Sequence, residues 1–330
     1  MKFVTSLILF VALTGGFFIF CNLLIPVVPG SLKSIDFTVQ KGEGAKDIIS
    51  NLRQESLVRS NIVSRAFIIS FGMSKKLQAG QYLFSPSMST WSIIHKIATG
   101  DIATKKITII EGWDLKEIGR YLEGQGICTE AEFTGFSAEN FSSEFSFLKD
   151  SPNTANLEGY MFPDTYEFLP GTSAEDIIRL ILDNFDKKLT PELRNEISRQ
   201  KKSISQVITM ASIIEKEVKK MGDKKIVSGI LWERIDIGMP LQVDSTITYI
   251  TNKNSTFVSY DDLAVDSPYN TYKNHGLPPG PISNPGIESI TAAIYPTMTD
   301  YLYFLSKPFG ETIFSRTFAE HSSAQATYLR

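Results

Sequence analysis

The feature that most restricts the possible fold is a recurring order of a short β-rich run, a turn and an amphipathic helix. Such units begin at Phe37, Gly80, Ile107 and Gly159. Gly, Ser or Thr marks each junction, and apolar residues then recur at helical spacing. Short strands alternating with helices in this way predict an α+β fold. Both a string of small modules and ordinary α+β construction would produce the pattern.

An uncharged, largely apolar run covers residues 3–28, ahead of the first unit. Because a helix of this length crosses about 30 Å of hydrocarbon, we predict a transmembrane helix over residues 4–28 after a cytoplasmic tail of residues 1–3. A cleaved signal peptide is the main alternative, but no small-residue cleavage site follows the run. Lys2 favours a cytoplasmic N-terminus. The expected location is the inner (cytoplasmic) membrane, single-pass, with the rest of the chain on its outer or periplasmic side.

Composition excludes several classes of function. The 330-residue chain has a net charge of -3, and its basic runs are only pairs of lysines, so it has no nucleic-acid signature. Cys21 and Cys128 are too few for a zinc site, and His95, His275 and His321 are too scattered to form a ligand cluster. We therefore expect no metal site.

The region after the apolar run is expected to contain three parts. The two units in residues 35–104 resemble the LysM type of glycan-binding module, in which a two-stranded sheet carries helices on one face. No residue there corresponds securely to a sugar contact, so this resemblance concerns the fold alone. Residues 105–155 read as a connecting α/β unit and linker, and residues 156–330 contain the unusual residue choices.

One helix of this last part places a carboxylate among hydrocarbon. In residues 203–220 the apolar side chains gather on one stripe at about 100° per residue. Glu215 falls within that stripe, whereas Glu217 points elsewhere. A carboxyl removed from water suits a proton donor near neutral pH, which makes Glu215 a general-acid candidate. The alternative is an ion pair with Lys219, four residues on, at a partly wet helix surface.

Several loops supply side chains suited to a sugar. A carbohydrate site needs aromatic faces for the rings and polar groups for their hydroxyls. Each residue taken alone is weak evidence, since a buried Tyr or a turn Asn is more common than a ligand contact. The candidates for substrate binding are Tyr160, Gln242, Asp244, Asn270 and Tyr272, with Tyr269 of the same type. Glu158 and Glu217 are the secondary candidate acids.

Five separated motifs carry a resemblance to a known family: LEGYMFPDTYEF, ASIIEKE, LQVDSTITY, SPYNTY and GLPPGPISNPGIESITAA. Together they resemble the YceG-like (MltG) family of membrane-anchored endolytic murein transglycosylases, over about residues 107–329. The resemblance implies a catalytic YceG-like domain at 156–330 and catalysis by the first glutamate of EKE, Glu215. It also implies cleavage of the MurNAc-GlcNAc β-1,4 bond within nascent glycan strands, which leaves a 1,6-anhydro end and terminates elongation.

A lyase of this kind requires one carboxylate, whereas glycoside hydrolases usually pair two. The reaction that the resemblance implies also requires no metal and no organic cofactor. The expected partners are peptidoglycan strands, the membrane and a cell-wall synthase. Two alternatives stay open. One is a hydrolytic muramidase with Glu158, Asp164 or Asp244 as its second carboxylate. The other is a non-catalytic scaffold that binds glycan and recruits synthases, in which Glu215 is only a buried, paired acid.

Overall fold

The computed structural model describes residues 22–149, 156–253, 258–307 and 310–328. The fold is α+β with three two-stranded sheets in these ranges, which confirms the predicted class. Most of the predicted transmembrane helix lies outside the described residues. Within them, the helices are too short or too polar to cross a membrane. The chain divides into two compact units: described residues up to Lys105 with Phe168–Pro170, and Lys106–Glu167 with Gly171–Arg330.

The first unit pairs β1 (Ile35–Val39) with β2 (Gly80–Phe84) in antiparallel register from Ile35↔Phe84 to Val39↔Gly80. Phe37 and Val39 are buried while their neighbours in β1 are more exposed, as period-two alternation requires. The helices of this unit are α1 (Ala45–Gln54), α2 (Asn61–Ser70) and α3 (Thr90–Thr99). Their apolar faces close the core over the sheet. The LysM-like identity of this unit stays a prediction.

The second unit is mainly helical. Its helices are α4 (Leu115–Gly124), α5 (Glu130–Thr134), α6 (Ala138–Phe141), α7 (Ala174–Lys188), α8 (Pro191–Arg199), α9 (Ile204–Glu217), α10 (Met221–Asp236), α11 (Asp244–Thr251), α12 (Tyr260–Leu263), α13 (Ile287–Ile294) and α14 (Phe318–Tyr328). It contains β3 (Lys105–Thr108) except Lys105, and β4 (Thr165–Phe168) except Phe168, and these two strands pair. It also contains β5 (Tyr303–Ser306), which forms an antiparallel hairpin with β6 (Thr312–Ser315).

Helix α9 is packed on all sides between Val207 and Ile214, whereas Gln206 and Lys216 nearer its ends are exposed. A capping box starts it: the Ser203 hydroxyl accepts from Gln206 N at 3.0 Å, and Gln206 Oε1 accepts from Ser203 N at 2.9 Å. Every side chain from Val207 to Ile214 is buried, and the helix contacts α8, α10, α11 and α13. The interpretation of this helix as amphipathic, with one apolar stripe, is therefore wrong, because a helix buried all round has no polar face.

Serine side chains form hydrogen bonds between helix α9 and the proline-rich loop that precedes α13. Ser212 Oγ accepts from Ile282 N at 3.0 Å and donates to Thr209 O at 2.7 Å. Ser283 Oγ donates to Ser212 O at 3.1 Å. These hydrogen bonds satisfy polar groups that would otherwise be buried unpaired. They also bring the C-terminal end of α9 beside the start of α13.

Candidate active site

A cavity of about 1000 Å³ lies at the C-terminal end of α9, in the size range of ligand sites. Its wall comes from the end of α9, the start of α11, the loop around Tyr272, strand β5 and helix α14. The side chains that line it include Glu217, Arg234, Gln242, Asp244, Ser245, Tyr272, Tyr303, Phe304, Phe318 and His321. Acidic, amide, hydroxyl and aromatic groups therefore meet in one space.

Glu217 is the last residue of α9, and its position follows from how the helix ends. Val218 takes an extended conformation, with φ -144° and ψ 149°, so the chain leaves the helix directly after Glu217. Burial raises the pKa of Glu217, the Ser245 hydroxyl and backbone N–H oppose that rise, and the charge of Asp244 adds to it. A carboxyl with a raised pKa in a cavity is suited to deliver a proton near neutral pH.

Three of the sequence-predicted binding residues share this cavity with Glu217. Tyr272 Oη donates to Asp244 Oδ1 at 2.5 Å. Burial and this hydrogen bond raise the pKa of Tyr272, so its side chain stays a neutral hydroxyl. Gln242 has a φ of +48°, an uncommon conformation for a residue other than glycine. In this conformation Gln242 N donates to Thr271 O at 3.1 Å, which joins Gln242 to the loop that carries Tyr272.

Asn270 does not reach the cavity, which corrects its assignment as a substrate contact. Its side chain is completely buried, with 0% exposure. Asn270 Nδ2 donates to Leu263 O at 3.0 Å and Val265 O at 2.8 Å, and Oδ1 accepts from Tyr272 N at 3.0 Å. These bonds shape the loop that carries Tyr272, so Asn270 acts on the site only through that loop.

Tyr160 is also misassigned as a sugar contact. Its side chain is 0% exposed. The ring lies 5.8 Å from that of Phe147 and 5.4 Å from that of Phe185, measured between centroids, as part of an aromatic core. A side chain enclosed in this way does not meet a ligand, so its aromatic character serves packing.

Glu215 is held in a buried ion pair. It lines neither this cavity nor a second, smaller cavity of the same unit. Lys224 Nζ lies 3.2 Å from Glu215 Oε1, with side-chain exposures of 2% and 8%. Glu215 Oε2 accepts from Gly286 N at 3.0 Å and from Ser289 Oγ at 2.7 Å, at the start of α13. The ion-pair alternative thus has a counterpart in the structure, with Lys224 in place of Lys219. A carboxylate at a helix N-terminus is also favoured by the helix dipole.

Glu158 is likewise buried away from the cavity. It is 3% exposed and accepts from Leu115 N at 3.1 Å and from Asn284 Nδ2 at 3.0 Å. Asn284 Oδ1 in turn accepts from Met161 N at 2.8 Å. Burial raises the pKa of Glu158 to about 8, against the hydrogen bond from Leu115. This acid therefore joins three segments of the second unit from inside the protein.

The raised pKa of Glu158 predicts a loss of stability as pH increases. The group ionises near pH 4.5 when unfolded but only near pH 8 when folded. Between these values the unfolded chain binds fewer protons than the folded one, so the free energy of unfolding falls as pH rises. We expect the Glu158→Gln variant to lose this contribution to the slope, which is at most about 1.4 kcal/mol per pH unit for one proton. Urea unfolding between pH 5 and 8 measures it.

The matched control is Glu139→Gln, which neutralises an exposed glutamate in α6. The change in its free energy of unfolding with pH should equal that of the wild-type protein. If Glu158→Gln also keeps the wild-type slope, the folded group is already ionised and the prediction is wrong.

Several residues of the cavity and of the ion pair were not predicted from the sequence, among them Lys224, Ser245, Arg234 and Tyr303. Arg234 donates to Leu302 O at 2.7 Å and to Leu241 O at 2.6 Å, and its guanidinium lies 5.1 Å from the Tyr303 ring centroid. It thereby joins the hairpin wall to the loop before α11. The position of Ser245 directly after Asp244 is the one local signal that could have found any of them.

Known proteins with similar sequences and structures place the chain in a family. The model of the YceG-like family matches residues 37–327. An endolytic murein transglycosylase of Bacillus subtilis is 34% identical over 330 residues, which span 96% of this chain and 91% of that protein. An endolytic murein transglycosylase of Streptococcus pneumoniae (strain D39) is 31% identical over 336 residues, spanning 92% of this chain but only 61% of that longer protein. The 2.6 Å crystal structure of a yceG-like protein from Listeria monocytogenes has a TM-score of 0.61 and 34% identity, covering 89% of this chain and 100% of that one. This chain belongs to the YceG-like family.

Proposed function

We propose that this protein is an endolytic murein transglycosylase, a lyase that cuts the MurNAc-GlcNAc β-1,4 bond within a glycan strand and leaves a 1,6-anhydro-MurNAc end. The observation that carries the proposal is the carboxyl of Glu217, with its raised pKa, in a cavity lined by aromatic, amide and hydroxyl groups. The names of the Bacillus and Streptococcus relatives support the same activity.

In the proposed reaction Glu217 acts first as acid and then as base. It donates its proton to the glycosidic oxygen, and the C–O bond to the MurNAc anomeric carbon breaks through an oxocarbenium-like state. The resulting carboxylate accepts the proton of the MurNAc 6-hydroxyl as that oxygen bonds to the anomeric carbon. One C–O bond breaks and one forms, Glu217 regains its proton, and no water is consumed. A single carboxyl is sufficient for this sequence.

Glu217 replaces Glu215 as the proposed acid because of what surrounds each carboxyl. Both oxygens of Glu215 accept hydrogen bonds inside the protein, from Lys224, Gly286 and Ser289. An acid that protonates a substrate must instead lie within hydrogen-bond reach of it. Glu217 meets that condition, since it lines a cavity large enough for sugar rings.

The other cavity residues have proposed roles in holding the strand. Tyr303 and Phe304 of β5 offer ring faces for the apolar sides of sugars. Gln242 and Tyr272 offer hydrogen-bonding groups for sugar hydroxyls. Asp244 places a negative charge near Glu217, and this charge raises the pKa of the acid.

A hydrolytic muramidase is the second candidate, because Asp244 supplies a further carboxylate in the same cavity. Of the other two suggested partners, Glu158 is buried and Asp164 pairs with Lys188 at 3.0 Å. Neither of these lines the cavity. The Tyr272 hydroxyl bonded to Asp244 favours a fixed electrostatic role for this group over that of a base for water.

Mass spectrometry of glycan strands digested by the purified protein tests the proposal. We expect internal cuts with products one water lighter than the hydrolysis products. Reducing-end sugars would identify a hydrolase, and the absence of any turnover by folded protein would favour the scaffold.

Three further parts of the proposal concern the membrane anchor, the strands that are cut and the first unit. The uncharged run over residues 3–28 supports a single-pass anchor in the inner membrane, with the cavity on the outer side. Cuts in strands still being made would then terminate elongation beside a cell-wall synthase. The two-stranded sheet and helices of the first unit are consistent with a LysM-like glycan-binding module.

A further inference from the structure

A second cavity of about 390 Å³ adjoins the first one. Four residues line both spaces: Lys216, Ser245, Thr248 and Lys253. The two cavities are therefore neighbouring parts of one groove in the second unit. The far side of the smaller cavity is formed by the first turns of α4 and by Glu130 of α5.

The smaller cavity differs from the larger one in its chemistry. Of its twelve lining residues, seven are charged: Asp114, Lys116, Glu117, Arg120, Glu130, Lys216 and Lys253. Its one aromatic residue is Tyr249, whereas the larger cavity has several ring faces. Sugar rings favour aromatic faces, and ionised groups favour opposite charges. The smaller cavity thus suits a charged substituent of a glycan better than another sugar ring.

Most of the charges in this cavity are already bonded within the protein. Asp114 and Glu117 cap α4: Asp114 Oδ1 accepts from Glu117 N at 2.7 Å, and Glu117 Oε2 accepts from Asp114 N at 2.9 Å. Lys253 Nζ pairs with the two oxygens of Asp262 at 2.6 and 2.8 Å. Lys216 Nζ donates to Gly112 O at 3.1 Å.

Lys116, Arg120 and the carboxylate of Glu130 are the exceptions in the described part of the chain. Lys116 and Arg120 are the two cations among them. They lie four residues apart on α4, so their side chains share one face of the helix. Neither forms an ion pair with a carboxylate in the described part of the chain, and the hydrogen bond that Arg120 makes is from Nε to Lys116 O at 3.3 Å. Like charges at this spacing disfavour the helix by a few tenths of a kcal/mol. An anionic ligand between them would remove that repulsion.

We propose that Lys116 and Arg120 bind a carboxylate carried by the MurNAc side substituent when the glycan lies in the larger cavity. The carboxylate belongs either to the lactyl group of a peptide-free MurNAc or to the peptide attached there. A guanidinium and an ammonium are the side chains best suited to this group. The inference rests on the proposed function, since it places the substituent beside the sugar that the acid acts on.

Binding measurements with three soluble disaccharides test the inference without requiring catalysis. The ligands are GlcNAc-MurNAc with a free lactyl carboxylate, GlcNAc-MurNAc with its peptide, and the uncharged GlcNAc dimer. Calorimetry or NMR titration of the wild-type protein should give roughly tenfold tighter binding of a carboxylate-bearing ligand, the size of one charge-assisted hydrogen bond. Whichever of the two binds more tightly identifies the source of the carboxylate.

The double variant Lys116→Gln, Arg120→Gln should bind all three ligands with about equal affinity. Both residues are exposed, and Gln has a helix propensity similar to theirs, so the variant should fold. Lys187→Gln is the control, since this exposed lysine on α7 lines neither cavity, and it should keep the wild-type ratio of affinities.

Equal binding of charged and uncharged ligands by the wild-type protein, or an unchanged ratio in the double variant, would overturn the inference. A failure of the proposed function would appear in a different experiment, the digestion of glycan strands, which would give reducing ends or no product. The two failures are therefore distinguishable.

Discussion

Glu217→Gln protein is expected to bind glycan strands and to release almost no anhydro product. The amide has nearly the same shape as the carboxyl but cannot donate a proton as an acid. Loss of general acid catalysis alone lowers a rate by roughly 10²–10⁴-fold. Because the same residue is proposed to act as base in the second half of the reaction, the loss should reach the upper end of that range. The rate of anhydro-end formation, followed by liquid chromatography and mass spectrometry, measures it.

Glu215→Gln is the matched control, because it makes the same chemical change two residues earlier in α9. We expect its folded fraction to keep most of the activity. Its melting temperature should fall, because one of the two carboxylate oxygens becomes an amide nitrogen that donates hydrogen bonds. That oxygen accepts either from Gly286 and Ser289 or from Lys224 in the wild-type protein. Circular dichroism of both variants establishes the folded fraction. The opposite pattern, with Glu215→Gln inactive and Glu217→Gln active, would return the catalytic role to Glu215.

Lys224→Ala is expected to lower the free energy of unfolding by about 3–5 kcal/mol. Removing one partner of a buried ion pair has a cost of this size because the remaining charge is left without compensation. Here the remaining charge is Glu215, which is 8% exposed, with Glu288 3.9 Å from the same lysine. Burial and the charges of Glu215 and Glu288 also raise the pKa of nearby Glu111, and the charge of Lys224 opposes that rise. Three carboxylates therefore lose their shared cation in this variant.

Urea unfolding of four proteins measures this effect: wild type, Lys224→Ala, Glu215→Gln, and the double variant. If the pair is coupled, the double variant should lose less than the sum of the two single losses. Lys187→Ala controls for the removal of an exposed lysine and should change stability by less than about 0.5 kcal/mol. A loss of that small size for Lys224→Ala would mean that the pair contributes nothing measurable.

Much of the architecture can be predicted from local patterns in the sequence. The alternation of short strands and helices predicts the α+β class, and the Ser203–Gln206 pair marks the start of α9 as a capping box does. The motif segment from Gln242 to Asp244 and the loop at Tyr272 were both identified as polar positions of a site. The structure places them in one cavity. Asn270 and Tyr160 have the right chemical types but are buried, and residue type alone does not report burial.

The amino-acid sequence by itself determined the fold class, the order of the motifs and the pair of neighbouring glutamates from which an acid would come. The proposed choice of Glu217 over Glu215 rests on the tertiary structure alone. At about 100° per residue, Glu215 and Glu217 point about 200° apart on α9. Because this helix is buried on all sides between Val207 and Ile214, its apolar periodicity cannot distinguish the face toward the cavity from the face toward other helices. Lys224, Gly286 and Ser289 come from the next helix and from a distant loop and helix, and together they hold Glu215 inside the protein. The aromatic wall from β5 and α14 encloses a cavity beside Glu217.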